Sequence, residues 1–428
     1  MKPRHVALLM ALVVGGPAMA GPSSGAASRF EARPCPAGLP AATRCHALQD
    51  ERGAWVLAAV PEHWNHELIV HAHGGPSLGP PVVAEADDDL QRYAGVVAAG
   101  YAWVGSTYRS GGFAVRRAAI DVENSRRLFL AQLGTPRRTW LHGQSWGAQV
   151  AIKVHELHGR SDNGEKHYDA VLLTNGVVHG ASRAYQFRAD LRAVYQYYCR
   201  NHPAPGEPEY PLWQGLPADS ALDEKALAKR VDDCTGARLP AASRSPVQAE
   251  RLRNISVATG IREDSLLRHL NWATFTFRSL VAGLDGGNPF DNRQRRYAGT
   301  TDDEALNRGV QRFDADPAAV ARLAWDGDPT GQWILPTLSL HAVHDPVVDV
   351  RAESLLAEVV RQAGRGHLLV QVGLDSDNHG RQAAAVLVAA LHGLDRWIES
   401  GAAPDLPWLR QNCGRSASTR QCNFMPLP

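Results

Sequence analysis

Lysine is scarce in this chain: five of its 45 cationic side chains are Lys, the rest are Arg, and 44 carboxylates leave a formal net charge of +1. With no basic excess, and no cationic cluster interleaved with aromatics, the electrostatic footprint of a nucleic-acid binder is missing. Long apolar runs are missing as well. Beyond the first 20 residues none approaches the roughly 18 needed to cross a bilayer, so no membrane span is expected. Neither an internal repeat nor a low-complexity tract occurs, which argues against solenoids and disordered arrays. The six cysteines include no C-x-x-C pair, so a zinc site is not indicated, and neither metal nor other cofactor is expected. What is present is an ordinary globular composition, 44% hydrophobic and 21% charged, over 428 residues. That length suits one large domain with insertions, or two or three ordinary ones.

Lys2, Arg4 and His5 precede an apolar run from Val6 to Val14, and Gly15-Gly16-Pro17-Ala18-Met19-Ala20 follows. A charged start, a short apolar middle and small residues before the cut are the parts of a secretory signal peptide, expected over 1–20. No Cys stands at the cleavage point, so a lipid anchor on the new N-terminus is not indicated. The mature protein is expected to be secreted or periplasmic, a compartment in which disulfides form. Sequence alone does not choose among the connectivities of six cysteines. Nearest-neighbour pairing is the simplest reading: Cys35–Cys45, Cys199–Cys234 and Cys413–Cys422, each stapling one local loop.

Along the chain, β-favouring runs alternate with helical periodicity. Strands are expected at Trp55–Val60, Leu68–Val70, Tyr101–Thr107, Arg138–Leu141 and Tyr168–Thr174. Helices are expected at Asp89–Ala99, Phe113–Leu133 and Ala148–Leu157. This alternation implies βαβ crossovers and a mostly parallel sheet. It stops near Gly180, where an irregular, helix-leaning block begins, and resumes with strands at Pro336–Val343 and His367–Val372 and helices at Val350–Ala363 and Gln382–Glu399. The block is therefore read as an insertion into one sheet. The expected organisation is a core at 21–179 and 332–400, a lid or cap at 180–331, and a Cys-containing C-terminal tail at 401–428.

The sharpest chemical signal is Gly143-Gln144-Ser145-Trp146-Gly147. A serine on a tight strand-to-helix turn needs small neighbours, and the turn exposes its Oγ at the positive end of a helix. As a bare pattern it is weak in a chain with 39 glycines; its place between an expected strand and an expected helix gives it meaning. Here the chain resembles the α/β-hydrolase family. The resemblance extends to His73-Gly74-Gly75-Pro76, which is similar to that family's oxyanion-hole loop. It extends also to His344-Asp345-Pro346 and Asp377-Asn378-His379-Gly380, similar to its acid and histidine turns.

The resemblance implies an α/β-hydrolase fold with a helix-rich lid inserted before the acid-bearing strand. It implies a triad of Ser145, Asp345 and His379, with backbone N–H groups of Trp146, Gly75 and Gly74 as the oxyanion hole. The chemistry asks for such parts in its own right: serine needs a base to take its proton, and a carboxylate to hold that base in one tautomer. Asp349 is the competing acid, expected instead to cap the following helix. His71-x-His73 could pair on a metal, though no matching Asp or His cluster follows closely. His155, His158, His341, His344, His367 and His392 are read as structural.

The function expected is that of a secreted serine hydrolase of the esterase or lipase type, acting on a small-molecule ester through an acyl-enzyme. The alternative is a serine peptidase acting on a peptide, since His-Gly-Gly-Pro also resembles prolyl-oligopeptidase-like enzymes. Against it, the mature N-terminal segment before the first strands is only about forty residues, and Ala148 stands where those enzymes usually carry a second glycine. A third reading is a hydrolase-fold binding protein without chemistry. An active-site titrant separates it from the other two.

Overall fold

The structure, a computed structural model, describes residues 28–414 and 421–428; the expected signal peptide lies outside the described residues. In chain order the first half holds β1 (Glu31–Arg33), β2 (Arg44–Gln49), β3 (Trp55–Val60), β4 (Glu67–Ala72), α1 (Val83–Arg92), α2 (Ala94–Ala98), β5 (Ala102–Ser106), α3 (Val115–Gln132), β6 (Arg138–Gln144), α4 (Trp146–His158) and β7 (Ala170–Thr174). Between β7 and the next strand come α5 (Ala181–Cys199), α6 (Glu224–Thr235), α7 (Pro246–Thr259), α8 (Leu266–Gly283), α9 (Asp303–Gly309) and α10 (Pro317–Gly327). The sheet then resumes with β8 (Thr337–Ala342), α11 (Ala352–Gln362), β9 (Leu369–Leu374), α12 (Ala384–Ser400), α13 (Leu406–Cys413) and β10 (Phe424–Met425).

All ten strands form one sheet in the order β1-β2-β3-β5-β4-β6-β7-β8-β9-β10. The six from β5 to β9 are parallel, and antiparallel strands close both edges. A parallel sheet covered on both faces needs strands apolar on both sides; β4 and β8 are accordingly buried at all six positions. The pleat sends Val56, Ala58 and Val60 to one core layer and Leu57 and Ala59 to the other. The first layer is shared with α3, α4, α11 and the inserted helices, the second with α1, α2, α12 and α13.

Local chemistry sets the element ends. Helix α7 starts on a reciprocal capping box between Ser245 and Gln248, with Pro246 in its first turn, and ends at Gly260 in the left-handed region. The helix expected over Asp89–Ala99 is instead two short ones broken at Tyr93. The second is pressed onto α12 so closely that a Cβ on Gly95 would collide with Ala384, a contact that a single straight helix would have to match by chance. His367, read inside a strand, stands in a 3-10 turn, Gly366–Leu368, and β9 starts after it. Strands β1, β2 and β10 were not anticipated. β1 and β10 are short edge pieces, and β2 between β1 and β3 has mixed exposure, so no clean period marks them.

Three disulfides join Cys35 to Cys45, Cys199 to Cys234 and Cys413 to Cys422. The first ties the segment after β1 to β2, the second ties α5 to α6, and the third closes α13 against the tail that supplies β10. No helix among the described residues is long and apolar enough to cross a membrane.

Candidate active site

Ser145 stands between β6 and α4 with φ 57° and ψ −125°, a left-handed, strained backbone for a residue with a side chain. Its glycine neighbours are required by close packing. A Cβ on Gly147 would lie 2.6 Å from the His73 carbonyl oxygen and closer still to that of Ala72; one on Gly143 would lie 2.7 Å from Ala148 Cα. The turn is thus wedged between its own helix and the end of β4. Trp146, the first residue of α4, is buried edge-on against Tyr108 and Phe113.

The loops after β8 and β9 meet this turn. His379 Nε2 is 2.8 Å from Ser145 Oγ, and its Nδ1 is 2.7 Å from Asp345 Oδ2. Asp345 Oδ1 also accepts the N–H groups of Val347 at 2.7 Å and Val348 at 3.1 Å. Burial pushes the Asp345 carboxyl up, but the His379 contact and the two N–H donors outweigh it and hold it below the usual carboxylate range. Asp349 is exposed and makes its contacts with Arg351, accepting its N–H and pairing with its guanidinium at 2.7 Å. It does not cap α11, whose first flanking residue is Arg351 with no side-chain cap.

The loop after β4 runs beside the serine. A Cβ on Gly74 would touch Ser145 Cβ at 3.8 Å, and Gly75 takes φ 143°. Tyr108 Oη donates to the His73 carbonyl at 2.7 Å. Because a trans peptide points its N–H opposite its C=O, that bond turns the Gly74 N–H away from Tyr108. His71 and His73 each direct a ring nitrogen to Asp89 Oδ2, at 3.3 and 2.5 Å, and His71 Nδ1 is 3.0 Å from His142 Nδ1. His73 therefore tethers the loop to α1, and His71 sets the end of β4 against the same carboxylate.

Several residues to which sequence reasoning assigned no part in the site hold the assembly, among them His341, read there only as structural. Asn175, at φ 47° after β7, donates from Nδ2 to Asp345 Oδ2 at 2.7 Å and to the Asn378 carbonyl at 3.0 Å; its Oδ1 accepts from Gln382 at 2.9 Å. One amide thus ties the acid loop to the histidine loop. Gln144 donates to the His379 carbonyl at 3.1 Å and accepts from Arg92 at 3.3 Å. His341, buried in β8, contacts Glu353 at 3.0 Å and the Val348 carbonyl at 2.9 Å, beneath the acid loop. The Asn175-Gly176 dipeptide ending a strand was a readable turn signal; Gln144 and His341 had none. His155 is structural as expected: its Nε2 accepts the N–H groups of Ile334 and Leu335, and burial lowers it to about 3.

A cleft of about 580 Å³ opens over Ser145, walled by His73, Gly74, Arg268, Asp377 and His379. Arg268 comes from α8, so the inserted block reaches the serine. The sheet order, a serine turn after β6, an acid loop after β8 and a histidine loop after β9 are now all in place. The fold is the α/β-hydrolase fold.

The chain matches no protein-family model and no curated protein. Among solved structures it is similar to an esterase from Aspergillus oryzae, at 12% identity over 90% of this chain and 88% of that one, with a TM-score of 0.45. It is similar also to feruloyl esterase B from Aspergillus oryzae, at 13% identity over 89% of each chain, with a TM-score of 0.42. A third is the rice cell wall degrading esterase LipA from Xanthomonas oryzae, at 16% identity over 83% of this chain and 87% of that one, with a TM-score of 0.37.

Proposed function

We propose that this protein is a serine hydrolase that cleaves carboxylic esters through an acyl-enzyme. The observation that carries the reading is the unbroken hydrogen-bonded run from Asp345 through His379 to Ser145 Oγ, at 2.7 and 2.8 Å. With Nδ1–H held by the carboxylate, Nε2 presents a lone pair to the serine hydroxyl. Ser145 Oγ attacks the ester carbonyl carbon, and its proton passes to His379 Nε2. The developing oxyanion meets the N–H groups of Trp146 and of Gly74 or Gly75. The leaving alkoxide takes the proton from Nε2, and water repeats the sequence to free the acid. The helices of 180–331 act as a lid that shapes the cleft.

Ester is favoured over peptide by where the extra chain lies. It sits between β7 and β8, while the described residues ahead of β3 form only the β1–β2 hairpin. Three disulfides support a location outside the cytoplasm. The test is titration with a fluorophosphonate, followed by turnover of 4-nitrophenyl esters beside aminopeptidase and dipeptidase substrates. Stoichiometric labelling at Ser145 and ester turnover, both lost in Ser145→Ala, are expected. Failure to label refutes the serine mechanism, and faster peptide cleavage moves the reading to a peptidase.

A further inference from the structure

A second cavity, of about 660 Å³, lies between the inserted helices and the acid loop. Pro346 lines both it and the Ser145 cleft, and Val177, also on its wall, donates its N–H to the Ser145 carbonyl at 2.9 Å. The cavity therefore adjoins the reacting serine one residue beyond the acid.

Its wall holds Arg188 of α5, a residue only 5% exposed. A buried cation without a carboxylate is costly, so the partners of this one matter. Arg188 Nη1 donates to the Ala184 carbonyl of its own helix at 2.7 Å, while Nε has no partner. Among the described residues no carboxylate pairs with it. Phe187 and Trp272 lie over the guanidinium, with ring centroids 4.5 and 4.6 Å from its Cζ. Rings on the faces of a guanidinium fix its plane and leave its N–H edge for an acceptor. Burial pulls Arg188 down to about 10, which leaves it cationic at neutral pH.

The same wall carries His179 and His269, each with Nδ1 buried and unpartnered. Burial holds both imidazoles neutral, and a neutral imidazole still carries one N–H. The two carboxylates on the wall, Asp345 and Asp349, are already engaged with His379 and Arg351. Among the described residues Arg188 is thus the one buried cation on this wall without a counter-ion, beside two imidazole nitrogens without partners; the other unpaired guanidinium there, Arg183, is exposed to solvent.

We propose that this cavity is a carboxylate subsite: it receives a carboxylate carried by the ester substrate, held two-pronged by the Nε–Nη2 edge of Arg188. The inference rests on the ester-hydrolase reading, which it extends to acid-bearing esters. A bidentate guanidinium–carboxylate pair favours the acidic ester over its neutral isostere by about 10- to 100-fold in kcat/KM.

Binding is read first, on full-length Ser145→Ala, as the rise in Tm with glutarate, with glutaramide and inorganic phosphate at matched ionic strength as controls. A saturable rise with glutarate alone is expected. Rates are then compared for two pairs: monophenyl glutarate with phenyl valerate, and 4-acetoxybenzoate with 4-acetoxybenzamide. The acidic member of at least one pair is expected to win by tenfold or more, and Arg188→Met to bring that ratio near one. Arg188→Lys, which keeps the charge without the fork, should fall between and guards against misfolding of Arg188→Met.

No glutarate effect, an equal effect of phosphate, or a ratio that survives Arg188→Met would each overturn the subsite. The last would move recognition to the cleft rim at Arg268 and Arg381. Glutarate binding that depends on Arg188 in a protein that cleaves none of these esters would uphold the subsite and sink the ester reading instead.

Discussion

Replacing Asp345 by Asn tests the whole arrangement, because that carboxylate accepts from four groups at once. Oδ1 faces the N–H groups of Val347 and Val348, and Oδ2 faces His379 Nδ1 and Asn175 Nδ2. An asparagine must spend one of its two positions on an NH2. Placed toward the backbone, that NH2 opposes two N–H donors; placed toward His379 and Asn175, it opposes one amide and the imidazole. The second arrangement costs less, because the imidazole can answer by moving its proton. His379 then carries its hydrogen on Nε2, facing Ser145 Oγ, and has no lone pair with which to take the serine proton. Loss of the right tautomer in a triad of this kind costs about 10⁴ in kcat, or about 5.4 kcal/mol of barrier. The unpaired Asn175 amide should cost about 1–3 kcal/mol of stability besides. Pre-steady-state and steady-state ester kinetics read the first, and urea unfolding reads the second. Adding Asn175→Asp gives the new NH2 an acceptor but sets a carboxylate oxygen against the Asn378 carbonyl that Asn175 Nδ2 reached, so the double variant should regain neither stability nor rate. Asp345→Asn with more than about a tenth of the wild-type kcat, a loss confined to KM, or a double variant that recovers rate would refute the tautomer argument.

Gly147→Ala places a methyl against two carbonyl oxygens at the end of β4, and backbone cannot swing aside as a side chain can. It should cost at least about 1–3 kcal/mol in urea unfolding together with most of the ester turnover; a folded, fully active variant would show that the serine turn is not tightly packed against β4. Cys199–Cys234 closes a separation of 35 residues, so replacing both by Ser should cost about 3.8 kcal/mol on the chain-entropy account; a change in unfolding free energy below about 1 kcal/mol would contradict it. His341 has its pKa held above the ordinary value, since the Glu353 carboxylate and the Val348 carbonyl more than offset burial. A raised folded pKa gives stabilisation that is complete below the unfolded value of about 6.5 and is lost as pH rises through the folded value. The stability gap between wild type and His341→Gln should therefore narrow as pH rises above about 6.5, and a gap that widens would reverse the assignment.

Much of the site was legible in the chain because its parts sit at strand ends. Ser145, Asp345 and His379 each follow a β-favouring run, and each is flanked by glycine or proline that stops the ladder. The glycines of the serine turn announced close packing, although not what they pack against. Hidden were the residues whose role depends on a neighbour far along the chain. Asn175 meets Asp345 across 170 positions and the Asn378 carbonyl across 203, and no local period encodes such a meeting. His341 reads as one more polar residue in a strand until Glu353 and the Val348 carbonyl close on it. Arg188 is an ordinary arginine in a helical stretch, and only burial against Phe187 and Trp272 makes it a cation without a counter-ion.

Local composition and period are thus enough to settle what a segment can be: which runs must be buried strands, where a turn must fall, which cysteines lie near enough to pair, and that the inserted block leans toward helix. They act through backbone sterics and through the cost of exposing apolar surface, both of which are properties of neighbours in sequence. Which loops converge, which buried polar groups find partners and which are left without one depend on distances between segments. Those distances follow from the order of strands in the sheet and from how α5 and α8 settle over its edge, and that was decided by tertiary packing.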